Sequence, residues 1–294
     1  MRVLIAGSSG LIGTALRARL KQDGHEVVRL VRRAPARSDE RGWDPPSGRI
    51  DDGAFDGVDA VVNLCGAPLA SGRWSAARKQ LLRDSRLEPT EVLAEAVAEH
   101  QVPVLVNGSG INYFGDTGDV EVDESAPAGH GFLATLCADW EAATAPARRA
   151  GSRVVLLRTA PVFTGEGGML RLLAPVFRLG LGARLGSGGQ YLPWIGLTDL
   201  VDVIRFCLTH DDVAGPVNAT VPDPPTNAEF TRAVARAVRR PAPWRVPGPV
   251  LRAALGDAAE EMLLAGPRAV PGVLTSAGFP YSQLNLDETL AAAL

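Results

Sequence analysis

Three glycines near the start of the chain have the spacing of a phosphate-binding turn. Gly7, Gly10 and Gly13 follow the apolar run 3–6 and precede an apolar pattern of helical period over 11–20. In such a strand–turn–helix unit, backbone N–H groups and the helix N-terminus converge on an anion. Gly7 allows the tight turn, Gly10 lets a pyrophosphate approach the backbone, and Gly13 lets the helix pack on the strand. The alternative is a structural turn without a ligand, because a lone Gly-x-x-Gly-x-x-Gly pattern is a weak signal.

The end of the second predicted strand indicates which dinucleotide such a site prefers. An acidic residue there binds the ribose 2′-OH of NAD, whereas an arginine suits the 2′-phosphate of NADP. The strand 27–31 is followed by Arg32 and Arg33, and no acid occurs before Asp39. A guanidinium offers a rigid fork of donors that matches phosphate geometry. We therefore predict NADP(H) over NAD(H), with Arg32 favoured over Arg33, the alternative being a solvated arginine pair.

Two later strands end in segments that can lie beside the same ligand. Small residues at the carboxyl end of a parallel strand let backbone approach a bound molecule, although a simple tight turn would look the same. The positions predicted to bind the cofactor are Gly7, Ser8, Ser9, Gly10, Leu11, Ile12, Gly13, Arg32, Arg33, Leu64, Cys65, Gly66, Ala67, Arg158, Thr159, Ala160 and Val162.

A serine and a tyrosine are the predicted catalytic residues. Ser109 and Tyr113 follow the strand 103–106 and emerge at the sheet edge where a ligand would lie. Two hydroxyls there could polarise a carbonyl and exchange its proton beside a nicotinamide. Such a tyrosine needs a nearby cation that favours its ionised form. The alternative is a hydrogen-bonded serine and a packed tyrosine without a catalytic role.

These residues require a sheet that brings several strand ends together. The predicted strands are 3–6, 27–31, 60–64, 103–106 and 154–157, and the helices between them are 11–22, 75–99 with a break near Pro89, and 133–150. Strands that alternate with helices predict an α/β, Rossmann-type, doubly wound parallel sheet. Continuous apolar strands agree with burial on both faces.

The regular alternation of strands and helices does not continue in the second half of the chain. The predicted helices there are 169–179, 198–209 and 227–238, with a glycine-rich loop at 180–189 and a Thr226–Glu229 capping box. We predict an NADP-binding Rossmann domain over 1–164, to which 195–221 returns. A smaller C-terminal substrate-binding region then comprises 165–194 and 222–294.

Composition and charge narrow the possible classes of protein. The chain has 294 residues, 46% of them hydrophobic, which is enough for one large or two modest domains. Its net charge of −3 argues against a nucleic-acid or membrane surface. Neither a secretory signal nor a membrane span is expected, and the four histidines lack metal-ligand spacing. Three widely separated cysteines indicate reduced thiols and a cytoplasmic protein.

Motifs along nearly the whole chain carry a family resemblance. Besides the glycine turn, they are 63–67, 73–75, Ser85-Arg86, 109–116, Trp140-Glu141, 157–159, 177–182, 186–188 with Gln190, Trp194-Ile195 with Asp199, 266–268, Pro271 and Gly278-Phe279. Together they resemble the extended and atypical short-chain dehydrogenase/reductase superfamily. More narrowly, the chain is similar to epimerase family proteins with a DUF1731-type C-terminal segment, here at 245–292. Such proteins have been described as NAD-dependent epimerases or cell-division-inhibitor-like sugar epimerases.

One departure from the superfamily concerns its catalytic Tyr-x-x-x-Lys motif. Anchoring on Glu141 places Leu133 and Cys137 at the tyrosine and lysine positions. Neither side chain can do that work, so a standard Tyr–Lys proton relay is in doubt. Tyr113 is then the nearest alternative acid, and Lys79 is a possible cation unless it is simply solvated.

The resemblance implies that the C-terminal part caps the crevice and binds substrate. The substrate-binding residues predicted on this ground are Arg73, Trp74, Arg86, Gln190 and Trp194, with Ser85 and Arg268 as further candidates. Arginine with tryptophan suits an anionic ligand with a planar or sugar portion. Alternatively, the tryptophans anchor loops and the arginines pair with Asp84 or Asp199.

Two functions from different classes remain open at this point. The leading hypothesis is an NADP(H)-dependent oxidoreductase or epimerase that works as a monomer or homodimer. Its substrate would be a small molecule with a carbonyl or hydroxyl group, for example a nucleotide-sugar-like compound. The alternative is a non-catalytic NADP(H)-binding redox sensor or regulatory protein, which the absence of Tyr-x-x-x-Lys favours.

Overall fold

The computed structural model describes residues 1–70 and 73–294 as an α/β protein. Its strands are β1 (Arg2–Ala6), β2 (Glu26–Val31), β3 (Glu40–Asp44), β4 (Arg49–Ile50), β5 (Ala60–Asn63), β6 (Val104–Gly110), β7 (Glu121–Val122), β8 (Arg153–Thr159), β9 (Val162–Phe163), β10 (Ala183–Leu185), β11 (Ile195–Gly196), β12 (Gly215–Ala219), β13 (Trp244–Val246) and β14 (Arg268–Ala269).

Helices connect these strands and cover the sheet. They are α1 (Leu11–Gln22), α2 (Ala76–Glu99), α3 (Phe132–Ala142), α4 (Ala145–Arg149), α5 (Gly168–Arg178), α6 (Leu197–Thr209), α7 (Asn227–Ala237), α8 (Gly248–Leu255), α9 (Asp257–Ala259), α10 (Gly272–Ser276) and α11 (Leu286–Ala293). Short 3₁₀ turns occur at Pro45–Ser47 and Ile111–Phe114, and a π-helical turn occurs at Glu260–Leu264.

Eight strands form one sheet in the order β12-β8-β6-β5-β1-β2-β3-β4. All neighbours are parallel except β3 and β4. From β1 the chain builds outward through β2 in one direction and through β5 in the other, so the strand order reverses between β1 and β5. Ligands of doubly wound sheets bind at that reversal, outside the carboxyl ends of the strands. The predicted Rossmann-type fold is confirmed.

The register aligns the strand ends that form this crevice. Ala6 of β1 pairs with Asn63 of β5, and Asn63 pairs in turn with Asn107 of β6. The turn after β1 and the segment after β5 therefore leave the sheet at the same level. This alignment makes the edge predicted from the sequence a continuous surface.

Hydrophobic helix faces bury both sides of the sheet. Leu16 of α1 and Ile204 of α6 pack on one side, where Val3 and Ile5 face them. Leu93 of α2 belongs to the core on the other side. Strands covered on both faces have continuous apolar sequences, as predicted.

Helix α2 runs without a break through Pro89, so the predicted break there is wrong. A proline inside a helix removes one backbone hydrogen bond and costs about 3 kcal/mol. Leu82 before it, and Leu93 and Val97 after it, are fully buried. Burial of each such side chain contributes roughly 1.5–3 kcal/mol, and this burial on both sides of Pro89 outweighs the cost of the proline.

The single helix predicted over 133–150 is two helices, α3 and α4. At their junction, the Thr144 hydroxyl donates to the Glu141 carbonyl at 2.7 Å. Pro146, two residues after Thr144, has no N–H and so cannot donate a helical hydrogen bond to the carbonyl of Ala142. The first helix therefore ends at Ala142, and a new short helix begins.

The C-terminal residues form small sheets with earlier segments. Strand β13 pairs with β10, and β14 pairs with β7, both in parallel. The capping box predicted at the start of α7 is present, with Thr226 and Glu229 exchanging side-chain-to-backbone hydrogen bonds. Within the described residues, no helix combines the length and the apolar character needed to cross a membrane.

Candidate functional site

The three glycines of the turn after β1 meet different surroundings. Gly7 has a φ of +79°, and a Cβ there would lie 2.7 Å from the Leu64 carbonyl oxygen. A Cβ on Gly13 would lie 2.3 Å from the Gly7 carbonyl oxygen, so α1 can pack on the turn only through a glycine. At Gly10 the only atom within 4 Å of an added Cβ would be the Gly7 oxygen, at 3.4 Å. Gly10 is therefore the glycine with open space beside it.

The N-terminus of α1 opens into the same space. Helix α1 begins after Gly10 with no side-chain cap and no acidic residue in its first turn. The first N–H groups of a helix have no partner within the helix, and they carry the positive end of its dipole. Neither a side-chain cap nor an acid of the first turn neutralises that end, which makes it suited to an anion.

Alanine substitutions should separate the roles of two of these glycines. Gly10→Ala should leave the free energy of unfolding near that of the wild type. It should weaken the NADPH binding predicted from the sequence about tenfold or more, because the added methyl group would displace a phosphate from the backbone donors. Gly13→Ala should destabilise the protein by about 1–3 kcal/mol, since the turn must move. Urea unfolding and fluorescence titration measure the two effects. Equal NADPH affinity in wild type and Gly10→Ala would contradict the role of Gly10.

Two of the arginines around the end of β2 are bound to the carboxylate of Glu40, and a third arginine is not. The carboxylate of Glu40 is fully buried and accepts hydrogen bonds from Arg33 at 2.7 and 2.8 Å, from Arg29 at 3.0 Å and from the backbone N–H of Ala36 at 2.8 Å. The hydrogen bond from Arg33 is the main reason why the pKa of Glu40 falls to about 2. Glu40 therefore has no capacity left for a ribose hydroxyl.

Arg32 differs from its neighbour. Both arginines are exposed, but the side chain of Arg32 makes no hydrogen bond or ion pair within the described part of the chain. Its charge reaches the Cys65 thiol after β5, where burial raises the thiol pKa to about 12 and Arg32 acts against that rise. The Arg32 guanidinium thus lies near the crevice and is available to a ligand, whereas Arg33 is held by Glu40.

A buried polar network fixes the ends of β5 and β6. Asn63 donates to the side-chain oxygens of Thr90 at 2.9 Å and Asn107 at 2.8 Å, and it accepts from the N–H of Cys65 at 3.1 Å. The indole of Trp140 donates to Thr90 at 2.8 Å. The small-residue segment after β5 is therefore held in place by α2 and α3.

Ser109 and Tyr113 both contact a buried ion pair that the sequence did not predict. Arg158 of β8 binds the Glu141 carboxylate through two hydrogen bonds of 2.8 and 2.9 Å, and both side chains are less than a tenth exposed. The Ser109 hydroxyl donates to the same carboxylate at 2.7 Å. The Arg158 guanidinium carbon lies 3.4 Å from the centre of the Tyr113 ring. An arginine whose charge is paired with Glu141 is thus stacked on the ring face of Tyr113.

The positions of the absent Tyr-x-x-x-Lys motif lie in the first turns of α3. Leu133 and Cys137 are both buried, and burial raises the pKa of the Cys137 thiol to about 12. The carboxylate of Glu261 caps this helix by accepting from the N–H groups of Phe132 at 2.8 Å and Leu133 at 2.6 Å. The C-terminal region therefore reaches the start of the helix beside the crevice.

Lys79, the candidate cation of the sequence analysis, already has an anionic partner. Its Nζ lies 2.6 Å from a carboxylate oxygen of Asp257 and 5.2 Å from the ring centre of Phe132. This lysine ties α2 to the C-terminal region. Its charge is compensated there by Asp257.

The predicted substrate-binding residues fall into different environments. Trp194 is 1% exposed and stacks on Phe163 with a centroid distance of 5.0 Å, which is the packing role given above as the alternative. Trp74 is buried and donates to the Leu69 carbonyl at 3.1 Å. Gln190 donates to the Leu263 carbonyl at 2.6 Å.

The two predicted substrate arginines contrast with each other. Arg73 is exposed, and Arg86 is buried on α2 against Gly66 at the end of β5. Ser85, beside it, accepts the N–H of Ala67 at 3.0 Å. Arg86 and Ser85 are thus both in direct contact with the small-residue segment after β5.

Comparisons with known proteins agree with this architecture. The family model described as "NAD dependent epimerase/dehydratase family" matches residues 3–219, and the domain of unknown function DUF1731 matches residues 246–293. Epimerase family protein Mb2239 of Mycobacterium bovis is 54% identical over 291 residues, which cover 99% of this chain and 97% of the relative.

Two solved structures extend the likeness to three dimensions. The crystal structure of human epimerase family protein SDR39U1 (isoform 2) with NADPH has a TM-score of 0.89 and 33% identity, covering 100% of this chain and 99% of that one. The nucleoside-diphosphate sugar epimerase from Corynebacterium glutamicum has a TM-score of 0.83 and 34% identity, covering 100% of this chain and 58% of that one. The resemblance stated from the motifs is confirmed: this chain belongs to the NAD dependent epimerase/dehydratase family of the short-chain dehydrogenase/reductase superfamily.

Proposed function

We propose that this protein binds NADP(H) in the crevice between β1 and β5 and catalyses an oxidoreduction or epimerisation of a carbonyl or hydroxyl substrate. The observation that carries the proposal is the arrangement at the end of β2. Arg32 is unpaired among the described residues. Glu40, the nearby acid that could otherwise bind the ribose 2′-OH of NAD, is held by two arginines. The relative solved with NADPH, human SDR39U1, supports the same cofactor.

The residues present fit a dinucleotide with a 2′-phosphate. The open side of Gly10 and the uncapped start of α1 would hold the pyrophosphate, and Arg32 would hold the 2′-phosphate. The segments 64–67 and 158–162 would line the nicotinamide end, because they leave the sheet on the other side of β1. Bound nicotinamide supplies the hydride chemistry, and the protein supplies orientation and proton exchange.

Tyr113 is the side chain we propose for proton exchange with the substrate. Its hydroxyl makes no hydrogen bond among the described residues, and its ring is held by Arg158 and packs on Phe114. Ser109 is predicted from the sequence to share this role. Because its hydroxyl donates to Glu141, we propose that Ser109 acts as a positioning residue through the Glu141–Arg158 pair.

A regulatory NADP(H)-binding role is the second candidate. The observation that favours it is the pair of buried, uncharged side chains, Leu133 and Cys137, at the positions of the superfamily's tyrosine and lysine. A protein of this kind would bind NADPH and NADP with different consequences for a partner. It would show no turnover with any substrate.

A substrate screen with a tyrosine variant tests the catalytic proposal. Purified protein with NADPH is offered a panel of anionic carbonyl compounds and nucleotide sugars, and cofactor oxidation and product epimers are measured. On any active substrate, Tyr113→Phe should lower turnover about 100-fold or more with unchanged NADPH affinity, because general acid–base catalysis contributes at least that factor.

A matched variant controls for the loss of a tyrosine hydroxyl. Tyr281→Phe removes the hydroxyl that donates to the Thr220 carbonyl at 3.0 Å, and it should leave turnover unchanged. Wild-type turnover in Tyr113→Phe would remove Tyr113 from the mechanism. Tight NADPH binding without turnover on the whole panel would favour the regulatory candidate.

A further inference from the structure

One arginine beside the crevice is buried without a carboxylate partner. Arg86 is 8% exposed, and no ion pair to an acidic side chain occurs for it within residues 1–70 and 73–294. Burial lowers its pKa, which is the expected direction for a cation that has lost water. Buried charges are normally paired or bind a charged or polar ligand, because desolvation without compensation is costly.

The hydrogen bonds of Arg86 leave part of its guanidinium unused. Its donors contact the Leu82 carbonyl at 3.1 Å, the Ala67 carbonyl at 3.1 Å and, at the long distance of 3.5 Å, the Ser85 hydroxyl. A guanidinium has five N–H donors in a planar fork. At least two donors therefore have no acceptor among the described residues.

The guanidinium lies at a defined position in the crevice. A Cβ added to Gly66 would lie 3.1 Å from the Arg86 guanidinium carbon, so the absence of a side chain at Gly66 makes room for it. The Trp140 ring centre is 5.2 Å from the same carbon. The positive charge of Arg86 also acts against the rise that burial causes in the pKa of the Cys137 thiol. Arg86 thus brings a positive charge close to the helix position where this chain has cysteine in place of lysine.

The sheet order tells which half of the dinucleotide would meet this charge. Arg32 follows β2, the glycine turn follows β1, and Arg86 contacts the segment after β5, on the far side of β1 from β2. A dinucleotide in a doubly wound sheet crosses this reversal of strand order with its pyrophosphate at the glycine turn. If the 2′-phosphate end lies at Arg32, the nicotinamide end lies on the side of Arg86.

We propose that Arg86 is the buried cation that binds oxygen atoms of the nicotinamide nucleotide and so orients that end of the cofactor. The inference rests on the proposed function, since it requires NADP(H) in this crevice. It gives Arg86 a contact with the cofactor, whereas the sequence predicted one with the substrate. It also explains why a guanidinium is buried here without an acid.

Two ligands that share one end distinguish this proposal from a general effect on binding. NADPH contains both halves, and adenosine 2′,5′-bisphosphate lacks the nicotinamide half. Arg86→Met should weaken NADPH binding about 10–100-fold, the effect of losing hydrogen bonds from a charged donor, and leave the bisphosphate affinity within about twofold of wild type. Arg86→Lys, which keeps the charge but not the fork, should lose less NADPH affinity than Arg86→Met.

Arg83→Met is the matched control on the same helix. Arg83 is paired with Asp139 at 2.7 Å and lies outside the contacts described for the crevice, so its loss should change neither affinity. Unchanged NADPH affinity in Arg86→Met, or an equal loss for both ligands, overturns the proposal. If Arg86→Met does not fold, Arg86→Lys is decisive: a loss confined to NADPH supports the proposal, and no such difference contradicts it. Failure of wild-type protein to bind NADPH would instead refute the proposed function.

Discussion

Arg32→Ala should raise the Kd for NADPH about 10–100-fold and leave the Kd for NADH nearly unchanged. Hydrogen bonds to a charged group contribute roughly 1.5–3 kcal/mol, and NADH has no 2′-phosphate to lose them. Arg32 is the arginine at the end of β2 that has no partner within the described residues, while Arg33 makes two hydrogen bonds to Glu40. Fluorescence titration of both cofactors with both proteins measures the selectivity directly.

Arg37→Ala is the control for loss of one positive charge from the same loop. Arg37 is exposed, like Arg32, but lies farther along the chain from β2. It should change NADPH affinity by no more than about twofold, because exposed charges that are not in contact are largely screened. An equal weakening of NADPH and NADH by Arg32→Ala would rule out a 2′-phosphate contact. The same loss in Arg37→Ala would point to a general electrostatic effect.

The largest effect on stability is expected at the buried Glu141–Arg158 pair. Glu141→Gln keeps the size of the side chain but leaves the Arg158 cation buried without its counter-charge. Breaking a buried pair from one side typically costs about 3–5 kcal/mol, so the free energy of unfolding should fall by that amount. Denaturant unfolding, with the slope compared between variants, gives the value.

A double variant shows whether the cost comes from the pair. Glu141→Gln with Arg158→Met should be less destabilising than the sum of the single variants, because no isolated charge remains. At the surface, Asp287→Asn removes the partner of Arg236, and both of those side chains are more than half exposed. That change should cost less than about 1 kcal/mol. A cost for Glu141→Gln as small as this would mean that the pair does not organise the site.

The features that sequence reasoning predicted well are those set by neighbouring residues. The glycine turn lies within thirteen residues, and its three glycines are distinguished by contacts with the turn itself or with the adjacent strand end. The strand alternation likewise follows from local hydrophobic pattern, so the Rossmann-type sheet could be predicted. The boundaries of α1 and the capping box of α7 also depend on nearby residues alone.

The features that were missed depend on distant parts of the chain. Glu141 and Arg158 are 17 positions apart and meet because α3 packs beside β6 and β8. Both residues belong to motifs of the family resemblance, Trp140-Glu141 and 157–159, but the motifs do not say that they form a pair. At Pro89 the local sequence predicts a helix break, but burial of side chains on both sides of the proline keeps the helix continuous. The substrate candidates show the same limit, since sequence does not distinguish a tryptophan that stacks in the core, such as Trp194, from one that contacts a ligand.

The most direct test of the central claim is a fluorescence titration of the wild-type protein with NADPH and, separately, with NADH. We expect saturable binding of NADPH that is about tenfold tighter than that of NADH or more, which is the selectivity that one arginine–phosphate contact provides. Equal affinity for the two cofactors would contradict the role given to Arg32. Absence of binding for both would mean that the glycine turn serves only the fold, and the proposed function would be refuted.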